Sequence, residues 1–348
     1  MLITLYHSKK NDTITLGMAM CSLQDRNCCS IYQVIFKAFG TCDRVALDSL
    51  ITLHGRDIVA QQCRIKKVLC TAAHAGLVPV LQWLADIGAA TLEDFSNFHP
   101  IRYAASHGHI AALDWFAQHY ASLGRTSEEF ATECRADDNY AIWWAAFDGR
   151  VSTLKWMAAH GVVTRDVCLT SRVSTGDGAA IHAAAGLGRI RVLEWFAKHY
   201  TTMGLTEHDF ISDLLAYKGI IFWNAASGGA ITTLMWIKQR CLAAGITLKE
   251  FSSYLSESNP LSSAIIEGHI DTANWLAEHG AASLEECYKV LDYGEISSIG
   301  LHWLADHGLT RTDFVEAGYE SAWLDWMGAR LAAADRSENI RCYGAQGL

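Results

Sequence analysis

Cysteine and histidine are the residues of this chain that could carry chemistry, and their spacing decides which kind. Of the 11 cysteines, Cys21, Cys28, Cys29 and Cys42 gather in one stretch, with His7 nearby. Thiolates and imidazoles at that density would suit a zinc ion, but structural zinc is held by paired Cys-x-x-Cys-type knuckles, which these intervals do not supply. A cysteine nucleophile from the same segment, activated by His54 or His74, would need a folded catalytic unit that about 60 residues hardly provide. No nucleophile elbow, phosphate loop or zincin motif occurs along the chain. His119, His160, His199, His279 and His307 recur periodically and raise the idea of metal or proton sensing. They face successive units rather than one centre, however, and an imidazole near a helix C-terminus is favoured by the dipole, so they read as caps. The odd cysteine count, scattered from Cys21 to Cys342, has no disulfide rhythm. Free Cys at buried-looking positions behaves as a small hydrophobe, and a reducing compartment is expected. No metal and no cofactor is expected.

The elements that must position any site come from a repeated phrase: Ala-Ala-x-x-Gly-x-(Val/Ile)-x-x-Leu-x-Trp. Its clearest copies run from Ala104 to Trp115 and from Ala184 to Trp195, and others centre on Gly76/Trp83, Gly149/Trp156, Gly229/Trp236 and Gly268/Trp275. In all six the glycine and the tryptophan lie seven residues apart. In the copy from Pro100 to Phe130, Pro100 suits a first helical turn, where its missing N–H costs nothing. Ile101, Ala104 and Ala105 then form one face at helical spacing, and Gly108 ends the helix. A second helix begins near His109, with Ile110, Leu113, Phe116 and Ala117 on its apolar side. Self-similarity at this period marks a solenoid, in which each unit buries its apolar face against its neighbours. The tryptophans fall in that seam and read as core rather than as a stacking ladder for a ligand.

These copies resemble the ankyrin repeat, whose consensus runs Thr-Pro-Leu-His-x-Ala-Ala-x-x-Gly-His-(Leu/Ile). The resemblance is carried by His99-Pro100-Ile101-Arg102-Tyr103-Ala104-Ala105, by Ala179-Ala180-Ile181-His182-Ala183-Ala184-Ala185 and by Asn259-Pro260-Leu261-Ser262-Ser263-Ala264. His107-Gly108-His109-Ile110 and Glu267-Gly268-His269-Ile270 supply the turn between helices. It covers roughly residues 67 to 310, about two thirds of the chain. It implies an all-α, ankyrin-like solenoid of about six to eight helical repeats with divergent end caps, working as a protein-interaction module.

The chain departs from the usual repeat in length. Successive tryptophans stand 32, 41, 39, 41 and 39 residues apart, against about 33 for an ankyrin unit. The added residues have their own signature: Thr91 to Phe95, Thr126 to Phe130, Thr206 to Phe210, Thr247 to Phe251, Ser283 to Glu286 and Thr310 to Phe314 each open on Thr or Ser with an acid three residues later. That is capping-box spacing, and it predicts a short third helix with its Phe packed inward. Thr164-Arg165-Asp166-Val167 lacks the acid. The third helix stands where an ankyrin unit projects its β-hairpin finger, which leaves the groove of the first helices as the surface for recognition.

Residues 1–66 do not fit the repeat and read as an N-terminal cap or small accessory segment. A hairpin is expected around Ile3 to Leu16, and helices over Ile31 to Phe39 and Asp43 to Leu53. The array is expected over 67–331, decaying after Trp275, with a flexible tail over 332–348. The formal charge of −9 and the absence of a long basic run leave no electrostatic footprint for nucleic acid. Lys9 and Lys10 come too soon after Met1 for a signal peptide, and no apolar run approaches the ~20 residues of a membrane span. A soluble, cytoplasmic monomer that binds one or more proteins is the resulting expectation.

In ankyrin units the residue before Ala-Ala and the two after it line the concave groove. Here the resemblance places Tyr103, Ser106 and His107 there, then Trp144, Phe147 and Asp148, then Ala183, Gly186 and Leu187, then Asn224, Ser227 and Gly228. With Arg102 beside them, the partner-binding set is Arg102, Tyr103, His107, Trp144, Phe147, Asp148, Leu187, Asn224 and Ser227. Large aromatics where the repeat does not need them are the usual anchors of interfaces, and the small residues of the later units would leave a depression beside them. The alternative is that the third helices fold over the groove and bury these rings. Long, Trp-marked ankyrin-like arrays resemble those of secreted effectors of intracellular bacteria, which act on host proteins in the host cytosol. The other functional class is an enzyme or enzyme modulator, with its chemistry in the Cys-rich residues 1–66 and the repeats selecting the substrate.

Overall fold

In the computed structural model the described residues are 43–65, 67–169, 179–292 and 296–330. All regular structure among them is helical, as the sequence predicts, and none of it is strand. The expected hairpin, the helix over 31–39 and the tail lie outside the described residues. The chain forms two compact units, one running to Ala145 and taking in Ser152–Val163, the other comprising Ala146–Val151 and the chain from Thr164 on.

The first unit is built from α1 (Arg44–His54), α2 (Arg56–Ile65), α3 (Val68–His74), α4 (Val78–Asp86), α5 (Leu92–Phe98), α6 (Pro100–His107), α7 (Ile110–Ser122), α8 (Ser127–Cys134) and most of α9 (Ala136–Phe147) and α10 (Val151–Ala159). Asp43 caps α1 by accepting from the Ala46 N–H at 3.1 Å. Pro100 occupies the first turn of α6, and Gly108 ends it in a left-handed conformation at φ 74°. Like elements pack on like: α3 on α6, and α1 on α4 on α7.

The second unit holds α11 (Arg165–Leu169), α12 (Ala180–Gly186), α13 (Ile190–Thr202), α14 (Glu207–Leu214), α15 (Ala216–Ser227), α16 (Ile231–Ala243), α17 (Leu248–Ser258), α18 (Pro260–Ile266), α19 (Ile270–Glu278), α20 (Leu284–Leu291), α21 (Ser298–Asp306) and α22 (Arg311–Glu316), followed by a helical stretch over 320–330. Here α12 packs on α15 and α15 on α18, while α13, α16, α19 and α21 follow one another in contact.

The third helices form where the capping boxes predict them. In α5, Thr91 Oγ1 accepts from the Asp94 N–H, and the Thr91 N–H donates to the Asp94 carboxylate at 2.8 Å. The same reciprocal bond closes α8, α14, α17 and α20. Phe95, Phe130, Phe210, Phe251 and Phe314 are all buried. Without the acid, Thr164 accepts only a 3.4 Å bond from the Val167 N–H, and α11 is five residues long. Its Arg165 instead forks onto Asp213 of α14 at 2.7 and 2.8 Å.

Four of the recurring tryptophans are tied into the seam by their indole N–H. Trp83 donates to Asp48 at 3.1 Å, Trp115 to Gln82 at 3.0 Å and Trp156 to Asp114 at 2.7 Å. In the second unit Trp303 donates to Asn274 at 2.7 Å. A buried indole needs such an acceptor, and the polar residue just before the preceding Trp supplies it in three of these cases. Trp83 is fully buried, whereas Trp156, Trp195, Trp236 and Trp275 are half-buried. The periodic histidines lie flat against them, with Trp115–His119 at 4.8 Å and 11°, Trp195–His199 at 4.9 Å and 9°, and Trp303–His307 at 3.6 Å and 16°. His160, His279 and His307 also bond the backbone carbonyl of their own tryptophan through Nδ1.

Candidate functional site

The first-helix face of the first unit gathers aromatic rings around one cation. Arg102 stands one turn into α6, and its guanidinium lies 4.9 Å from the Tyr103 ring centroid and 4.8 Å from that of Tyr140 on α9. Its Nη2 donates to the Tyr103 hydroxyl at 3.1 Å. The Tyr140 ring is 5.7 Å from Trp144, which meets Trp143 edge-on at 5.2 Å. Trp143 is buried, while Arg102, Tyr103, Tyr140 and Trp144 are half-buried. A guanidinium beside two rings is held by its attraction to their faces.

Beside this cluster, His74 at the end of α3 lies 3.8 Å from the ring centroid of His107. His107 Nδ1 is 3.0 Å from the Tyr103 carbonyl oxygen, so that nitrogen carries the hydrogen. Ser106 is buried, and its hydroxyl donates to the same carbonyl at 3.0 Å. Burial and the neighbouring imidazoles push His74 down to about 4.

The remaining candidates belong to the second unit. Phe147 is half-buried, and its carbonyl accepts from Arg189 Nε at 3.0 Å. Asp148 and Leu187 are half-buried beside their inter-helix turns. Asn224 and Ser227 sit on α15, the Ser227 carbonyl accepting from His269 Nε2 at 3.0 Å. The depression expected at the small residues is closed by backbone: a methyl group on Gly186 would meet the Asn224 carbonyl at 3.1 Å, and one on Gly228 would meet the Gly186 carbonyl at 1.7 Å. The glycines are small because two helices touch there.

Tyr140 is a site residue that sequence reasoning missed. It lies outside the Ala-Ala phrase, and its one available signal is its place four residues before Trp144, on the same helical face.

Among the described residues, no group of three His, Cys, Asp or Glu side chains is arranged to hold a metal ion. Cys63, Cys70, Cys134, Cys168, Cys241 and Cys287 are buried free thiols. Burial pushes Cys63, Cys70, Cys168 and Cys241 up to about 12, so these thiols stay protonated and unreactive. Cys21, Cys28, Cys29 and Cys42 lie outside the described residues. No described helix is long and apolar enough to cross a membrane. No protein-family model matches the chain, and no curated protein matches it.

Proposed function

We propose that this chain is an ankyrin-like solenoid that recognises a partner protein through the groove of its first helices, with Arg102, Tyr103, Tyr140 and Trp144 as anchors. The observation that carries this reading is the half-buried guanidinium beside two tyrosines, with a tryptophan next in line, on helices whose buried face is supplied by Ile101, Ala104, Ala105, Ile142, Ala145 and Ala146. Tyr, Trp and Arg are the residue types that dominate binding hot spots. Their partial exposure also weighs against the alternative in which the third helices cover the rings, since it is the Phe residues that those helices bury. Packing of like helix on like helix supports the solenoid. The resemblance to bacterial effector arrays extends the proposal to a host protein as the partner.

Affinity capture from a eukaryotic lysate tests it, comparing the wild-type chain with a Tyr103→Ala/Trp144→Ala variant of equal helicity, followed by titration of the purified partner. One saturable partner whose affinity falls at least tenfold in the variant (about 1.4 kcal/mol) is the expected result. Partners indifferent to the variant would refute the groove.

A further inference from the structure

We propose that His74, His107 and His109 form an acid-sensitive clasp, which holds α3 against α6 at neutral pH and loosens that junction below about pH 6. The proposal stands independently of the groove reading. Three imidazoles meet where the two helices end. His74 and His107 are 3.8 Å apart with rings tilted by 47°, and His107 stacks on His109 at 6.1 Å and 11°. His109 Nε2–H reaches back to the His74 carbonyl at 2.8 Å and so closes the end of α3. Its other nitrogen faces Gly76, where a methyl group would stand 2.5 Å from Nδ1.

The electrostatics are one-sided. The charges that bear on His74 are those of His107 and His109, and both disfavour its protonation. Of the helices packed on α3, α2 carries Arg56, Asp57 and Arg64, and α4 carries Asp86. Arg64 is paired with Asp94 at 3.2 Å, and Asp86 is taken by Arg44 at 2.7 Å and by Gln82 at 2.9 Å. Arg56 donates to the Asp86 carbonyl. On α3 itself the titratable neighbour is Cys70, whose thiol burial keeps protonated, and the exposed Lys67 precedes the helix. On α6 the further charge is Arg102, itself a cation. Of the helices against α6, α7 carries Asp114, which accepts from Trp156, and His119, bonded to the Ala90 carbonyl. The charges that bear on His74 are imidazoles, so its protonation adds like charge beside them.

The sign follows from the direction of the shift. His74 holds its proton less readily in the fold, at about 4, than at its ordinary 6.5. Its contribution to the closed junction is complete above 6.5 and is lost as pH falls toward 4.

Amide hydrogen exchange of the full chain, corrected for intrinsic rates, tests this at about pH 7.5 and about pH 5. Segments 68–75 and 100–109 should lose about tenfold in protection on acidification, and His74→Asn should remove most of that loss. Histidine NMR titration of the unaltered chain gives a second reading that requires no variant, with the His74 imidazole expected to titrate well below its ordinary range. Titration of His74 near 6.5, or equal acid loss in wild type and His74→Asn, would overturn the clasp.

Discussion

The carbonyl oxygen of Gly186 and the α-carbon of Gly228 are so close that no side chain fits between them: a methyl group on Gly228 would lie 1.7 Å from that oxygen. Gly228 has φ −86°, so the glycine is needed for space and not for a left-handed turn. Gly228→Ala is therefore expected to push α12 and α15 apart and cost roughly 3 kcal/mol. Gly328→Ala, with nothing within 4 Å of the added methyl, should leave stability unchanged or raise it by up to about 1 kcal/mol. Urea unfolding of both variants measures the contrast.

The capping boxes carry a smaller, local stake. Thr91→Ala removes the acceptor for the Asp94 N–H and the hydroxyl that donates to the buried Asp94 carboxylate at 2.7 Å. A loss of about 1 to 2 kcal/mol is expected, with Thr91→Ser recovering most of it. Thermal melts with all three proteins provide the check.

The indole links should behave as coupled pairs. Trp303→Phe and Asn274→Ala each break one bond of 2.7 Å at a nearly buried ring. Each is expected to cost about 1 to 2 kcal/mol, with a coupling near 1 kcal/mol in a double-mutant cycle. Additive losses would show that the bond contributes nothing of its own.

Acid should weaken the second unit through His182. This imidazole is 2 % exposed, its Nδ1 accepts from the Ala179 N–H at 3.4 Å, and burial pushes it down to about 4. A neutral ring is required both by burial and by the accepting nitrogen. The stability it supplies is present above its ordinary 6.5 and drains away toward about 4. Across that interval His182→Gln should flatten the pH dependence of unfolding by an amount on the order of 2 to 3 kcal/mol.

Much of this was legible in the chain, because helix starts and stops are written locally. Thr-x-x-acid capping signals, Pro100 and Gly108 place their helix ends, and Phe95, Phe130, Phe210, Phe251 and Phe314, each the fourth residue of its helix, are buried as the pattern requires. What was not legible is pairing across units. His109 bonds the His74 carbonyl, Arg189 that of Phe147 and His269 that of Ser227. The only local trace is a donor side chain directly after the inter-helix glycine. Gly186 and Gly228 fail for the same reason, since a small residue in sequence does not say whether a ligand or a neighbouring helix fills the space. Tyr140 needed the Arg102 guanidinium, 38 positions earlier in the numbering, to give it a role.

The indole bonds have one more implication. Trp115, Trp156 and Trp303 each reach the residue just ahead of the previous tryptophan, although the chain between those tryptophans runs 32, 41 and 28 residues. The joint is indifferent to the length of the tether. Insertions or deletions between one second helix and the next first helix are thus absorbed as slack, and indels in this protein should accumulate there without shifting the register of anything downstream.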